Sequence, residues 1–246
     1  MSRELKKFST KIYEESIRDI IGDHLHPGGL DLTARVVELA KISKDCKVLD
    51  LACGKGASVR FIAENLECDV IGMDLSAKLI QILKGGIARE PFLERTEFAI
   101  GDAELMPCIN SCFDVVICES ALSLFPDKRK VLSEIHRVLK SGGRFVATNM
   151  VLKGDIPAEL KTKLTFALCI AGAETLERFY ELFERAGFVD IHAEDHSEKL
   201  IELGLKLLLS DSLTGASTVN ATGRLILRRL FNEDMLRYAL MVANKP

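Results

Sequence analysis

Three short runs carry residues that can do chemistry together. Asp50-Leu-Ala-Cys-Gly54-Lys-Gly56 ends one apolar run and opens a helical pattern. Glycines at such a turn let the backbone approach a ligand closely, and the helix start that follows offers free N–H groups and the positive end of a dipole. Asp74 ends a second apolar run, at roughly the 20-residue spacing that a nucleotide-binding βαβ unit uses. An acid there can take both hydroxyls of a ribose in a two-pronged contact. Gly101-Asp102-Ala103 follows a third run, and a carboxylate or backbone amide there can read the polar edge of a base. Each of these acids has a plainer alternative: Asp50 and Asp74 as helix caps or turn formers, Asp102 as a turn residue.

A second set of candidates lies outside that series. His24 and His26, in His24-Leu-His26-Pro-Gly-Gly29, suit proton transfer because imidazole titrates near neutrality, or are simply exposed turn residues. Cys118 and Glu119 end the most apolar run. Cys169 lies late in a helical pattern and faces either an acceptor pocket or the core. His192 and His196 read as surface residues. Cys108, Cys112 and Cys118 are close in sequence, but an apolar run separates the last from the others, and no metal site is expected.

The elements that must position these residues alternate. Apolar runs at 47–53, 68–74, 96–101, 113–118, 144–149, 189–194 and 237–242 read as strands. Helical periodicity marks 3–22, 30–42, 57–66, 76–85, 127–140, 157–170, 173–186, 197–210 and 222–231. Ser141-Gly142-Gly143 reads as the C-cap of the helix at 127–140. Strands alternating with helices of this length imply βαβ units and a mostly parallel sheet, whose ligands bind at the carboxyl ends of the strands.

Taken together, Val48-Leu-Asp-Leu-Ala-Cys-Gly-Lys-Gly56, Gly72-Met-Asp-Leu-Ser76, Gly101-Asp-Ala-Glu104, and Phe113-Asp-Val-Val-Ile with Arg137-Val-Leu-Lys-Ser-Gly-Gly143 resemble the class I S-adenosylmethionine-dependent methyltransferases, in their small-molecule branch. The match is close over 45–150. The segment from Phe113 to Lys128 is also similar to that of arsenite methyltransferases, with Ser120 where they carry a metal-binding Cys. The resemblance implies an α/β fold: a Rossmann-like, seven-stranded, mostly parallel sheet with helices on both faces and an antiparallel last strand. It implies one domain over 1–246, with an N-terminal helical lid (1–44), a cofactor-binding core (45–150) and an acceptor-side half (151–246) containing a helical insertion (197–232). It also implies roles. Asp50 orients the loop near the methionine end; Gly54 and Gly56 bring backbone to the cofactor, with Ala52 where the family often has its first glycine. Asp74 holds the ribose, Leu75 flanks the adenine, and Asp102 with Ala103 meets its polar edge. Cys118 and Glu119 border the transferring methyl group. His26, Cys118, Glu119 and Cys169 are the catalytic candidates.

Bulk properties exclude several other classes. The 246 residues suit one α/β domain, and 48% hydrophobic residues supply a core. A net charge of −3 offers no basic excess for nucleic acid. Seven cysteines with no CxxC pair, behind a charged amphipathic N-terminus, argue for reduced thiols, a cytoplasmic setting and no membrane. Val59 stands where a dinucleotide-binding loop needs a third small residue, which disfavours a nicotinamide cofactor. The expected reaction is methyl transfer from S-adenosylmethionine to a small-molecule acceptor, leaving S-adenosylhomocysteine, in a monomer or homodimer. The alternatives are a non-catalytic binder of either sulfur compound, or a protein or RNA methyltransferase.

Overall fold

A computed structural model describes residues 2–15, 26–87, 94–214, 228–230 and 232–246. Helices α1 (Ser2–Glu15) and α2 (Gly29–Ala40) precede β1 (Lys47–Leu51), α3 (Ala57–Asn65), β2 (Asp69–Asp74), α4 (Ala77–Ile87), β3 (Thr96–Ile100) and β4 (Phe113–Glu119). Then come α5 (Lys128–Val138), β5 (Leu139–Leu152), α6 (Lys163–Ala167), β6 (Glu174–Thr175), α7 (Leu176–Arg185), β7 (Val189–Asp195), α8 (Ser197–Thr214) and β8 (Leu236–Asn244). His24, the end of the helix expected over 3–22 and most of that expected over 222–231 lie outside the described residues.

The sheet runs β3-β2-β1-β4-β5-β8-β7, with β1 to β5 parallel and β8 antiparallel between β5 and β7. It is mostly parallel with an antiparallel last strand, as expected. An eighth strand, the two-residue β6 beside β5, was not anticipated; it is too short for any periodic signal. The chain order reverses at β1, which has β2 on one side and β4 on the other, so the crevice for a ligand opens there.

Strand alternation builds two cores. Leu49, Val116, Cys118 and Phe145 point to the face covered by α5 and α7. Val48, Val115, Ile117 and Val146 point to the face covered by α2 and α3. Burial on both faces is why these strands read as continuous apolar runs.

Two local readings are corrected. The helix expected over 127–140 stops at Val138, and Leu139 is already extended and pairs with Phe113. Gly142 and Gly143 therefore do not cap it; they lie in β5, where Gly142 has φ 76° and a side chain on Gly143 would press on the Asp114 carbonyl at 3.0 Å. The helix expected over 157–170 shrinks to a 3-10 turn, Ala158–Leu160, and the five residues of α6, started by a Thr162–Thr165 capping box. No helix among the described residues is long and apolar enough to cross a membrane.

Candidate functional site

One cleft at the carboxyl edge of the sheet gathers most of the expected residues: Asp50, Ala52, Gly54, Asp74, Leu75, Asp102, Ala103, His26 and Glu119 all line it. The loop after β1 is shaped by its backbone. Ala52 has φ 63°, Gly54 φ 55° and Gly56 φ 75°. Gly56 is the N-cap of α3, and a side chain there would meet Leu83 at 2.9 Å. Ala52 holds the same left-handed conformation despite its Cβ, at a steric cost of about 1–2 kcal/mol. The Ala52 and Cys53 N–H groups both donate to the Met73 carbonyl, which ties the loop to β2.

The three acids differ in environment. Asp50 is buried with no hydrogen-bond partner among the described residues. Burial first, then the nearby Glu119 and Asp74, push its carboxyl well above the usual carboxylate range. Asp74 is raised as well, chiefly by burial, against the pull of the Ser76, Gly54 and Leu75 N–H groups. Asp102 keeps a low carboxyl: against the desolvation cost, the Lys6 ammonium and the Glu104 N–H hold it below its ordinary value.

Helix α1 lies over this side of the cleft. Lys6 donates to both oxygens of Asp102 at 2.9 and 2.8 Å and pairs with Glu104 at 2.7 Å. The Ser76 hydroxyl donates to Glu14 at 2.5 Å. Tyr13 also lines the cleft, and burial before all else pushes its phenol well up, so it holds its proton. Its hydroxyl sits 3.5 Å from the Cys169 thiol.

At β4 the structure separates two candidates that the sequence put together. Alternation turns Cys118 into the α5/α7 core, where it is fully buried and does not line the cleft. Burial and the nearby carboxylates push its thiol well up. Cys118 as a neighbour of the transferring methyl group is therefore withdrawn. Ser120, two residues on, leaves strand geometry with φ 55°, so Cys118 does not stand in for it. Glu119 points the other way, into the cleft. It accepts from Ser58 at 2.6 Å and Thr33 at 3.2 Å, with His26 Nε2 at 3.5 Å. Cys169 does not line the cleft either; it stands behind Ser120, donating to its carbonyl at 3.0 Å, and burial pushes its thiol up to about 11. Among the described residues no cluster of His, Cys, Asp and Glu suits a metal ion.

Sequence reasoning missed Lys6, Thr33 and Ser58. Thr33 did carry a signal: it is a polar residue on the apolar face of α2, with Leu32, Val36 and Ala40. Lys6 carried none, since a lysine in an amphipathic helix ordinarily faces water.

A family model described as a methyltransferase domain matches residues 42–187. The chain is 25% identical over 231 residues to the methyltransferase GfsG of Streptomyces halstedii, covering 91% of this chain and 83% of that one. It is 30% identical over 159 residues to an arsenite methyltransferase of Halobacterium salinarum, covering 63% of this chain but 40% of the relative. In structure it resembles phosphoethanolamine N-methyltransferase 2 of Haemonchus contortus, solved with phosphomonomethylethanolamine and S-adenosylhomocysteine. The TM-score is 0.81 at 20% identity, over 98% of this chain and 60% of that one. The chain thus spans most of the first of these and less than two thirds of the other two. On the family match and the cleft geometry together, this chain belongs to the methyltransferase domain family.

Proposed function

We propose that the protein transfers a methyl group from S-adenosylmethionine to a small-molecule acceptor. The observation that carries this reading is that three successive strand ends, β1, β2 and β3, deliver Gly54, Asp74 and Asp102 to one cleft. The residues suit the cofactor. Asp50 is a buried carboxylate in want of a cation, Asp74 faces the place for a ribose, and Leu75, 41% exposed, offers an apolar flank for a base. S-adenosylmethionine, when bound, supplies an electrophilic methyl group on a sulfonium.

The chain's own part is alignment and exclusion of water. Loop 52–56 and Asp74 fix the nucleoside end. Helix α1, within the lid we assign to 1–44, covers the adenine side through Lys6. Tyr13, Ala121, Leu124 and Phe125 form a largely apolar wall on which an acceptor can lie. We assign 45–150 to cofactor binding and 151–246 to the acceptor side. Burial of both Cys118 and Cys169 gives no support to a thiophilic metalloid acceptor. All seven cysteines are free, in keeping with a cytoplasmic setting.

Calorimetric titration with S-adenosylmethionine, S-adenosylhomocysteine and NAD tests this. Micromolar binding of the two sulfur compounds and none of NAD is the expected result. Failure of both sulfur compounds to bind removes the proposal. Binding without turnover across a broad panel of hydroxyl, amine and thiol acceptors points instead to a regulator.

A further inference from the structure

Cys46, Cys68, Cys108 and Cys112 stand just before β1, β2 and β4, on the edge of the sheet opposite the cleft. Two of them meet by register. Lys47 pairs with Asp69 in the parallel ladder of β1 and β2, and one step earlier the Asp69 N–H donates to the Cys46 carbonyl at 3.0 Å. Cys46 therefore lies opposite Cys68, with about 4.8 Å between neighbouring strands. Both side chains go to one face: Cys68 belongs to the apolar cluster around Val48 and Val70, and Cys46 packs against it. A disulfide asks for Cα atoms roughly 4.4–6.8 Å apart and side chains that do not point away from each other.

The two thiols are unlike. Cys46 is half-buried, and its sulfur accepts the Ser43 N–H at 3.4 Å with the Ser43 hydroxyl at the same distance. Its S–H is not committed to a carbonyl, and solvent reaches it. Cys68 is 1% exposed. Burial first, then Cys46 beside it, pushes the Cys68 thiol up to about 11, so it keeps its proton until a sulfur is brought to it. Cys108 and Cys112 sit together on the other face, but Cys112 gives its S–H to the Ile109 carbonyl at 3.1 Å. Cys53, Cys118 and Cys169 are buried. The pair with one reachable thiol and one close, protected partner is Cys46 and Cys68.

We propose that Cys46 and Cys68 are a modification site, closing a reversible disulfide across β1 and β2 when the protein meets a small disulfide such as oxidised glutathione. The Cys46 thiolate attacks one sulfur of oxidised glutathione. That S–S bond breaks, and one glutathione leaves and takes up the proton that Cys46 lost. Cys68 then attacks the Cys46 sulfur of the mixed disulfide, and the second glutathione leaves with the Cys68 proton. Two protein thiols are oxidised and one small disulfide is reduced to two thiols. The closed loop, Cys46 to Cys68, contains the glycine turn and α3. Cross-linking it restricts the unfolded chain, so the oxidised protein unfolds at a higher temperature. The clamp ties the amino ends of the two strands whose carboxyl ends lead to Gly54 and Asp74.

The test treats the whole folded chain with oxidised glutathione, alkylates the remaining thiols, and maps the peptides by mass spectrometry without reduction. Peptides joined through Cys46 and Cys68 are the expected main product. Tm should rise by at least about 4 °C and return on adding dithiothreitol. Cys46→Ser should lose both the link and the rise, and Cys68→Ala should stop at glutathione held on Cys46. Cys108→Ser combined with Cys112→Ser should keep both. Each Tm is compared with that of the same protein reduced, so a variant that is merely less stable cannot imitate the result. Wild-type Cys46 left carrying glutathione, a principal link between Cys108 and Cys112, or full alkylation of Cys46 and Cys68 after the treatment overturns the proposal.

Discussion

The carboxylate of Asp74 accepts the Gly54 N–H at 3.0 Å, so the acid that ends β2 holds the glycine loop that ends β1. Its other oxygen takes the Ser76 N–H at 2.8 Å. Asp74 is therefore a ligand candidate and a strut of the loop at once. Asp74→Ala should weaken S-adenosylmethionine binding at least about tenfold, the loss expected for a charged hydrogen-bond partner. 5′-Methylthioadenosine, which lacks the amino-acid end, should weaken with it, as the proposed place of Asp74 at the nucleoside end requires. Calorimetry on both ligands checks this, and unchanged affinity for S-adenosylmethionine removes Asp74 from the site.

Asp50 should trade stability for binding. A buried carboxylate with no partner costs free energy when ionised. Its folded value is raised, so the cost is absent below about pH 4, where the unfolded carboxyl is also protonated, and grows as the pH climbs toward the folded value. Asp50→Asn should raise Tm at neutral pH by at least about 2 °C, the shift that ~1 kcal/mol gives a chain of this size. Near pH 4 the gain should vanish, and cofactor affinity should fall at every pH. A Tm unchanged at neutral pH refutes the idea that Asp50 is held at a cost.

Lys6 ties α1 to the β3 side of the cleft. The low Asp102 carboxyl contributes stability above the ordinary carboxylate range, and that contribution disappears as pH falls through the folded value. Lys6→Ala should speed hydrogen exchange in α1 by about tenfold and speed cofactor dissociation. The wild-type helix should lose protection in the same way on acidification. Exchange in α1 that ignores the substitution would mean that its packing against α6 and the Ser76–Glu14 bond hold the helix without Lys6.

Tyr238 stands behind Ser120, which lines the cleft. Its hydroxyl donates to Thr148 at 2.8 Å and contacts the Ser120 hydroxyl, where the backbone takes its positive φ. Tyr238→Phe removes the link between the buried Thr148 hydroxyl and the half-buried Ser120 hydroxyl and should destabilise by about 1–3 kcal/mol in urea unfolding. A neutral result would show that Ser120 and Thr148 satisfy each other without it.

Cys118→Ser puts a hydroxyl among Leu49, Val116 and Phe145. It should cost about 1–3 kcal/mol of stability and leave cofactor affinity unchanged. A selective loss of binding in a stable variant would return Cys118 to the site.

The strands β1 to β4, the glycine loop and the acids Asp50, Asp74 and Asp102 were legible in the amino-acid sequence because their signals are local. A buried parallel strand is a short apolar run, and the ligand loop follows it directly in the chain. What each residue faces was not local. Cys118 and Glu119 are neighbours in sequence, yet alternation sends one into the core and the other into the cleft, and which is which depends on the layers packed on either face. The Lys6–Asp102 pair joins residues 96 apart, and Thr33 meets Glu119 across 86. Such contacts exist only once α1 and α2 have docked, and no period or spacing encodes where a docked helix puts its side chains. The turn at Gly142-Gly143 shows the same limit: identical residues end a helix or bend a strand, and the pairing of Leu139 with Phe113 decided for the strand.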